Sequence, residues 1–207
     1  MKKLAIVVLA VLFIAPAAMA KNWGAAVKLG AGQNNPKSMK DELNSLDSSS
    51  YKELDKMPGY LSMEILHEWA LNDEANKIGA KIGWDTYGEN ELKAYGLDYG
   101  KITEESDAFP FTVYFRRDNG VNKFSWFAGA GVTIMHTKVK GTAEYDGSFS
   151  KNKTFPHLVA GVEYRFTEVF ALGLDARYNI SAKVKKDGLV LSDRSGFGAA
   201  LAGRFYF

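Results

Sequence analysis

The sequence has no cysteine among its 207 residues. That absence excludes disulfide bonds, thiolate metal sites, a cysteine nucleophile and a lipid anchor on an N-terminal cysteine. Long apolar runs are also missing after residue 20, whereas a spanning helix needs about 20 apolar residues. We expect a chain held together by backbone pairing and packing, and we assign no cofactor and no metal site.

The first 20 residues have the three parts of a cleavable export signal. Lys2 and Lys3 form the basic start, residues 4–14 form the apolar run, and Ala20 ends a small-residue cleavage site. We predict a signal peptide at 1–20 and a mature domain at 21–207. Cleavage removes two of the 26 basic residues and none of the 24 acidic ones. The mature chain is then formally neutral, and its charge gives no reason to expect a nucleic-acid partner.

Large apolar residues alternate with small or charged residues along most of the remaining chain. Val27 and Leu29, for example, alternate with Lys28 and Gly30. A period of two predicts strands that show one face to hydrocarbon and the other to a polar lumen. The alternating stretches number eight and cover residues 22–32, 59–71, 76–87, 108–117, 122–140, 154–166, 169–183 and 195–207.

The connections between these stretches alternate between long and short. The long connections are 33–58, 88–107, 141–153 and 184–194, and the short ones are 72–75, 118–121 and 167–168. This pattern predicts an all-β fold, an eight-stranded antiparallel up-and-down transmembrane β-barrel, with long loops extracellular and both termini periplasmic. In loop 33–58, Ser50 and Glu53 have the spacing of a helix capping box, which predicts a short helix there.

Residue parity also predicts how neighbouring strands pair. Across the first short turn we expect Ile65 opposite Ile82, and across the second we expect Phe115 opposite Phe124, all facing lipid. Aromatic residues near the strand ends are typical of the girdles at the two membrane interfaces. A soluble barrel of the lipocalin type is the alternative, and it would place the apolar residues inside and the charges outside.

The predicted lumen face carries seven basic and five acidic residues in one narrow space. Because buried charges are tolerated only when they are paired and hydrogen-bonded, we expect an ion-pair network that fills the lumen. A conduction or proton path is the alternative interpretation. The predicted lumen charge network consists of Lys28, Glu64, Glu68, Lys77, Lys81, Asp85, Arg116, Glu163, Arg165, Asp175, Arg177 and Arg204.

The export signal, the eight alternating stretches and the aromatic C-terminus resemble the small eight-stranded outer-membrane barrels. These include the transmembrane domain of OmpA and the families of OmpX and OmpW. Phe207, with Phe205 two residues before it, is similar to the signal that the barrel-assembly machinery reads in these families. The resemblance implies a bacterial outer-membrane location, with outer-membrane lipid and lipopolysaccharide as neighbours and the assembly machinery as a partner during biogenesis.

The leading functional hypothesis is a non-enzymatic envelope scaffold whose surface loops interact or adhere, with loop 33–58 as the candidate for a surface ligand. A narrow pore or a carrier of small or apolar molecules is the first alternative. A lipid A-modifying enzyme is the second. That chemistry needs a serine, a histidine base and an orienting acid within reach. Because His67, His136 and His157 do not show such a pattern, we assign no catalytic residue.

Overall fold

The computed structural model describes residues 22–32, 50–53, 59–95, 101–119, 123–141, 147–186 and 189–207. The predicted signal peptide and most of loop 33–58 lie outside these residues. The described strands are β1 (Trp23–Ala31), β2 (Ser50–Glu53), β3 (Gly59–Ala70), β4 (Asn76–Tyr95), β5 (Lys101–Asn119), β6 (Phe124–Gly141), β7 (Gly147–Arg165), β8 (Phe170–Asn179), β9 (Lys183–Lys186), β10 (Leu189–Asp193) and β11 (Gly196–Tyr206).

Eight of these strands close into one antiparallel barrel. Neighbours pair in the order β1, β3, β4, β5, β6, β7, β8 and β11, and β11 pairs back to β1. At the seam, the Trp23 amide donates to the Phe207 carbonyl at 3.2 Å and the Phe207 amide donates to the Trp23 carbonyl at 3.0 Å. Closure pairs the first strand of the barrel with the last, so no strand edge is left free at the seam. The predicted eight-stranded up-and-down barrel is therefore confirmed.

The two faces of the barrel wall differ in polarity as the alternation predicts. Trp126, Leu174 and Leu201 are 42%, 56% and 59% exposed on the outside, whereas Lys81 and Arg177 are 6% and 9% exposed inside. A soluble barrel would show the reverse arrangement, so the lipocalin alternative is wrong. No helix in the described part of the chain is long and apolar enough to span a bilayer.

Strand β6 keeps nearly its predicted bounds, but β4, β5 and β7 are longer than predicted. They continue into the segments 88–107 and 141–153, which were predicted as loops, and β4 reaches Tyr95 while β7 begins at Gly147. Polar residues occur at both parities in these segments, so they carry no regular apolar alternation that would mark them as strands. The four strands therefore extend past the apolar belt as one wall.

Two loop predictions are wrong in detail. Ser50 to Glu53 is a strand paired with residues 92–95 of β4, and not a helix, because pairing to an extended neighbour outweighs the local capping signal. Residues 184–194, predicted as an open loop, contain most of a hairpin formed by β9 and β10. The seventh predicted strand also ends early, since β8 stops at Asn179 before this hairpin begins.

Strand registers give one confirmation and one correction. Ile65 pairs with Ile82, as predicted. Phe115 pairs with Ala128 rather than with Phe124, because β5 continues to Asn119, and it is Asn119 that pairs with Phe124. The shift is four residues, an even number, so every side chain stays on its predicted face.

The outward face of β6 can be tested by placing a charge in lipid. Val132 is 47% exposed in the middle of the apolar belt, so Val132→Arg should lower the free energy of unfolding by about 2–4 kcal/mol. The control is Ser150→Arg, an outward and exposed position on β7 beyond the belt, where we expect almost no change. Urea unfolding of refolded protein in lipid vesicles measures both, and equal losses would contradict the assigned membrane face.

Candidate functional site in the lumen

The lumen is lined by the inward residues of all eight barrel strands. The structure places all twelve residues of the lumen charge network on this face. Ten of them are buried, while the side chains of Lys77 and Arg165 at the short-turn rim are 16% and 29% exposed. The twelve charges form two clusters that share acidic partners. The lower cluster lies near the short turns, and the middle cluster lies farther along the lumen from them.

Arg116 is the centre of the lower cluster. Its guanidinium donates to Asp118 at 2.6 Å and to the Ser125 hydroxyl at 2.8 Å, and it also contacts Glu163. Glu68 lies 3.4 Å from Arg116 Nη1. Arg116 is 2% exposed, so these acceptors replace the water that a guanidinium would otherwise bind.

Two tyrosines complete the lower cluster. The Tyr114 hydroxyl donates to Glu68 at 2.9 Å, and the Tyr206 hydroxyl donates to Glu163 at 2.8 Å while accepting from Arg116. The Tyr114 ring fills the space over Gly79, where a Cβ would overlap it. A small residue on β4 therefore admits the large side chain that reaches Glu68.

The middle cluster is built around two carboxylates. Lys28 Nζ lies 2.6 Å from both Glu64 and Asp175, and Lys81 Nζ lies 3.2 Å from Glu64. Arg177, on β8, contacts Glu64 at 3.8 Å. Glu64 on β3 thus meets cations from three other strands, which ties distant parts of the wall together.

The two clusters are connected to each other, and together they contain one more carboxylate than the predicted lumen charge network. Arg204 contacts Asp175 in the middle cluster and lies 3.4 Å from Glu163 in the lower one. Asp118, assigned to a turn from the sequence, supplies a sixth carboxylate through Arg116 and through Lys77 at 2.8 Å. Asp118 lies beyond the apolar belt; burial would raise its pKa, but Arg116 outweighs burial and holds the pKa below its usual range.

The upper lumen contains polar groups that the sequence did not single out. His157 is buried between two threonine hydroxyls, with Nε2 2.9 Å from Thr112 and Nδ1 2.8 Å from Thr133. His157 occupies an inward position of the alternation, so parity alone predicts its place in the lumen.

A second missed group closes the mouth of the barrel. Glu104 accepts hydrogen bonds from Ser192 at 2.7 Å, Ser106 at 2.9 Å and Arg194 at 3.0 Å. The Arg194 guanidinium also lies over the Tyr87 ring, 4.7 Å from its centroid. Glu104 and Arg194 are 90 positions apart in segments predicted as loops, so no local pattern could have paired them.

Apolar contacts hold the hairpin in the mouth as well. Ala182 and Val184, which are 0% and 1% exposed, belong to one cluster with Ala108, Met135 and Phe155 of the wall. Burying such side chains is favourable by about 25 cal/mol for each Å² removed from water. The β9–β10 hairpin is therefore fixed inside the wall of β4 to β7.

Little space remains between the described side chains of the lower and middle clusters. A cavity of about 10 Å³ lies among residues that include Glu68, Lys81 and Arg204. That volume is close to the least that a single water molecule needs. In the described part of the lumen, the charges are neutralised by one another rather than by bulk water.

The histidines lie apart and in different surroundings. His67 lies on the outer wall between Trp23 and Trp69, with ring centroids 4.7 and 4.5 Å away. His136 contacts Asn152 at 2.7 Å on the exposed wall. Within the described ranges, no three His, Asp or Glu side chains are grouped so that they could hold a metal ion.

The barrel and its charged interior define a class of protein, the small transmembrane β-barrels. The chain belongs to the outer membrane protein β-barrel domain family, whose profile matches residues 5–205. Membership indicates a location in an outer membrane. No curated protein matches the sequence.

Several solved structures share the fold. OprG from Pseudomonas aeruginosa is 12% identical over 90% of this chain and 96% of that chain, with a TM-score of 0.54. Neisserial surface protein A is 14% identical over 89% and 97%, with a TM-score of 0.51. Ail of Yersinia pestis, in a complex with the heparin analogue sucrose octasulfate, is 15% identical over 90% and 98%, with a TM-score of 0.48. At such low identity the likeness shows the fold alone.

The lower cluster makes a quantitative prediction. Arg116→Ala should lower the free energy of unfolding by about 3–5 kcal/mol, because it leaves buried Glu163 and Glu68 without their shared cation. The matched control is Arg117→Ala, the next residue along β5, which faces outward and is exposed. We expect less than about 0.5 kcal/mol there. Adding Glu163→Gln to Arg116→Ala should recover part of the loss, and urea unfolding that shows equal costs for the two arginines would contradict the network.

Proposed function

We propose that this protein is a closed, non-conducting outer-membrane scaffold that holds an extracellular surface for interaction or adhesion. The observation that carries the proposal is the filled lumen. Paired charges occupy its lower and middle parts, and the β9–β10 hairpin occupies its mouth. A barrel blocked at both levels serves as a rigid anchor, because eight strands leave an interior only wide enough for side chains.

The proposed orientation places the long-loop ends outside and both termini in the periplasm. It is supported by the short turns, which lie at the same end of the barrel as Trp23 and Phe207. Outer-membrane barrels have short periplasmic turns and longer external loops. We propose that Phe205 and Phe207, at this end, are read by the assembly machinery, and that residues 1–20 are removed on export.

The proposed interaction surface is the wall of β4 to β7 with the loops around it. Loops on a rigid scaffold carry function in many folds because the scaffold fixes where they stand. Here the scaffold includes the extended wall, to which the Ser50–Glu53 strand of loop 33–58 is paired through β4. A surface ligand contacting this loop would therefore bind a segment whose base is held by backbone hydrogen bonds.

The two alternative functions fit the described residues less well. A pore or carrier requires free volume, and the cavity described among Glu68, Lys81 and Arg204 has a volume of only about 10 Å³. An acyl-transfer or hydrolytic site requires a serine and an acid placed around a histidine. Among the described residues, His157 contacts two threonines and His136 contacts an asparagine. We therefore infer a non-enzymatic role, which a lipid A deacylation assay on refolded protein tests.

The closed lumen predicts an electrical result. Refolded protein in a planar lipid bilayer should give no steady current, because buried ion pairs and the hairpin leave no continuous water path. Heat-shifted gel mobility is the control that the protein is folded. A steady current in the wild-type protein that Arg116→Ala abolishes would show that the lumen conducts and would contradict the scaffold.

The surface role predicts a loop-dependent set of neighbours. Proximity labelling on intact cells should recover partners that are lost when residues 33–57 are deleted. The matched control replaces the same residues with a glycine–serine segment of equal length, which keeps the spacing and removes the side chains. Loss in both variants assigns recognition to the side chains of the loop. An unchanged set in both would contradict a binding role for loop 33–58.

A further inference from the structure

The chain between β8 and β11 leaves the barrel wall and returns to it at two adjacent points. β8 ends at Asn179, which pairs with Gly196 at the start of β11. Ser181 and Gly196 have φ angles of 54° and 113°, so the backbone is in the left-handed region at both points. Residues 182–195, which contain the β9–β10 hairpin, therefore form one segment between two neighbouring pivots.

The hairpin is separate from the barrel sheet. β9 and β10 form a two-stranded sheet of their own, and the Arg194 amide donates to the Ala182 carbonyl at 2.9 Å at its base. In the part of the chain that the structure describes, strand pairing joins neither of them to a barrel strand. The hairpin can therefore move without breaking the ladder that closes the ring. A two-stranded hairpin alone is marginally stable in water, so its place depends on contacts with the wall.

Wall side chains hold the hairpin by polar contacts at several points. Glu104 accepts from the Arg194 guanidinium at 3.0 Å, and both side chains are almost fully buried. The Asn179 amide group donates to the Arg194 carbonyl at 3.2 Å. Lys151 Nζ donates to the Lys185 carbonyl at 2.9 Å. The Glu104–Arg194 pair is the strongest of these contacts, because it joins two opposite charges away from water.

The hairpin also covers an apolar part of the inner wall. Ala108, Met135 and Phe155 are 0%, 1% and 2% exposed, and they pack against Ala182 and Val184 of the segment. Inward side chains at this height face the mouth and not the lipid. They would meet water if the segment moved away. We refer to Ala108, Met135 and Phe155 as the mouth pocket.

The barrel wall leaves the hairpin room to move. β7 extends up to Gly147 but pairs with β8 only between His157 and Arg165. The upper part of β7 therefore borders the hairpin instead of a barrel strand. Lys183 and Lys185 of the hairpin are exposed. An outward movement thus meets solvent on one side of the segment.

We propose that the segment 182–195 is a hinged lid, which swings out of the mouth about Ser181 and Gly196 and uncovers the mouth pocket. Hinges are a few residues at the ends of elements that absorb a change in φ and ψ. Because Asn179 and Gly196 are paired, rotation at these pivots does not separate β8 from β11. Elements with few ties to the rest of a fold open at a lower free energy than the whole.

The lid is independent of the closed lumen. The paired charges around Arg116 and Glu64 lie nearer to the short turns than the mouth pocket does. They stay in place when the lid opens. An open lid therefore gives access to the mouth pocket from one end without a path through the membrane, and it does so whichever way the barrel is oriented.

Single-cysteine labelling of the detergent-refolded mature protein tests the lid, because the chain has no other cysteine. The reporter is Met135→Cys in the mouth pocket. The matched control reporter is Ala202→Cys, a lumen position that is 0% exposed and pairs with Lys28. The readout is the rate of reaction with a water-soluble maleimide, with and without Glu104→Ala. Heat-shifted gel mobility confirms that each variant forms the barrel.

Glu104→Ala removes the acceptor of the buried Arg194 guanidinium, so the lid should open more often. Loss of a charge-assisted hydrogen bond should raise the labelling rate at Met135→Cys about 10-fold to 100-fold, with no change at Ala202→Cys. An unchanged rate at Met135→Cys would overturn the lid, because the hairpin would then belong to the rigid wall. Equal increases at both reporters would also overturn it, because they would indicate loosening of the whole barrel.

A disulfide lock provides the second measurement. Ser106 on the wall and Ser192 on the hairpin donate to the same Glu104 oxygen at 2.9 and 2.7 Å, so Ser106→Cys/Ser192→Cys brings two thiols together. In the Glu104→Ala protein, the oxidised lock should return the rate at Met135→Cys to that of Ala202→Cys, and reduction should restore fast labelling. Mass spectrometry of the labelled peptides separates the reporter from the lock thiols. Fast labelling of the reporter in the locked protein would overturn the hinge.

Discussion

Each strand of this barrel crosses the membrane, so it must present apolar side chains to the lipid. Its charged side chains must then point into the lumen, which is too narrow to hydrate them. All other features of the molecule follow from that constraint. Because an unpaired buried charge costs several kcal/mol, each cation in the lumen needs an acceptor from another strand. Arg116 satisfies this need with partners on β3 and β7, and Glu64 satisfies it with cations on β1, β4 and β8.

The same pairing gives the barrel its mechanical character. Backbone hydrogen bonds join each strand to its two neighbours, whereas some of the lumen charges also join strands that are not neighbours. Arg204 on β11 reaches Glu163 on β7, for example, and Arg177 on β8 reaches Glu64 on β3. Cross-links of this kind resist flattening of the ring, and the hairpin pinned to Glu104 fixes the open end. A rigid and closed cylinder leaves the outer wall and loops as the parts that can engage other molecules.

Parity was the part of the structure that the sequence could predict. Because one face of every strand meets lipid, a misplaced residue would expose a charge, so Lys28, Asp175 and Arg177 could be placed inside from alternation alone. The even number of strands followed from the alternation of long and short connections. The class of protein also followed, because an apolar outer face and a charged inner face are typical of membrane barrels and not of soluble ones. We refer to this arrangement as the inverted polarity.

Contacts between distant polar segments could not be predicted in this way. The wall above the belt carries polar residues on both faces, so most of it shows no regular apolar alternation, and the segments 88–107 and 141–153 were assigned to loops. The Glu104–Arg194 pair joins two such segments. The β5–β6 register failed for a related reason: alternation fixes the face of Phe115 but not how far β5 continues before it turns. Ser50 and Glu53 show that a local helix signal loses to an available strand partner.

Quenching of the intrinsic tryptophan fluorescence tests the inverted polarity most directly. The chain has four tryptophans, and Trp23, Trp69, Trp84 and Trp126 all lie on the outer wall with 36–50% of their surface exposed. In vesicles, acyl chains carrying bromine should quench this emission strongly, while aqueous iodide should quench it weakly. Strong quenching by iodide with no effect of brominated lipid would contradict a barrel whose apolar face meets the membrane.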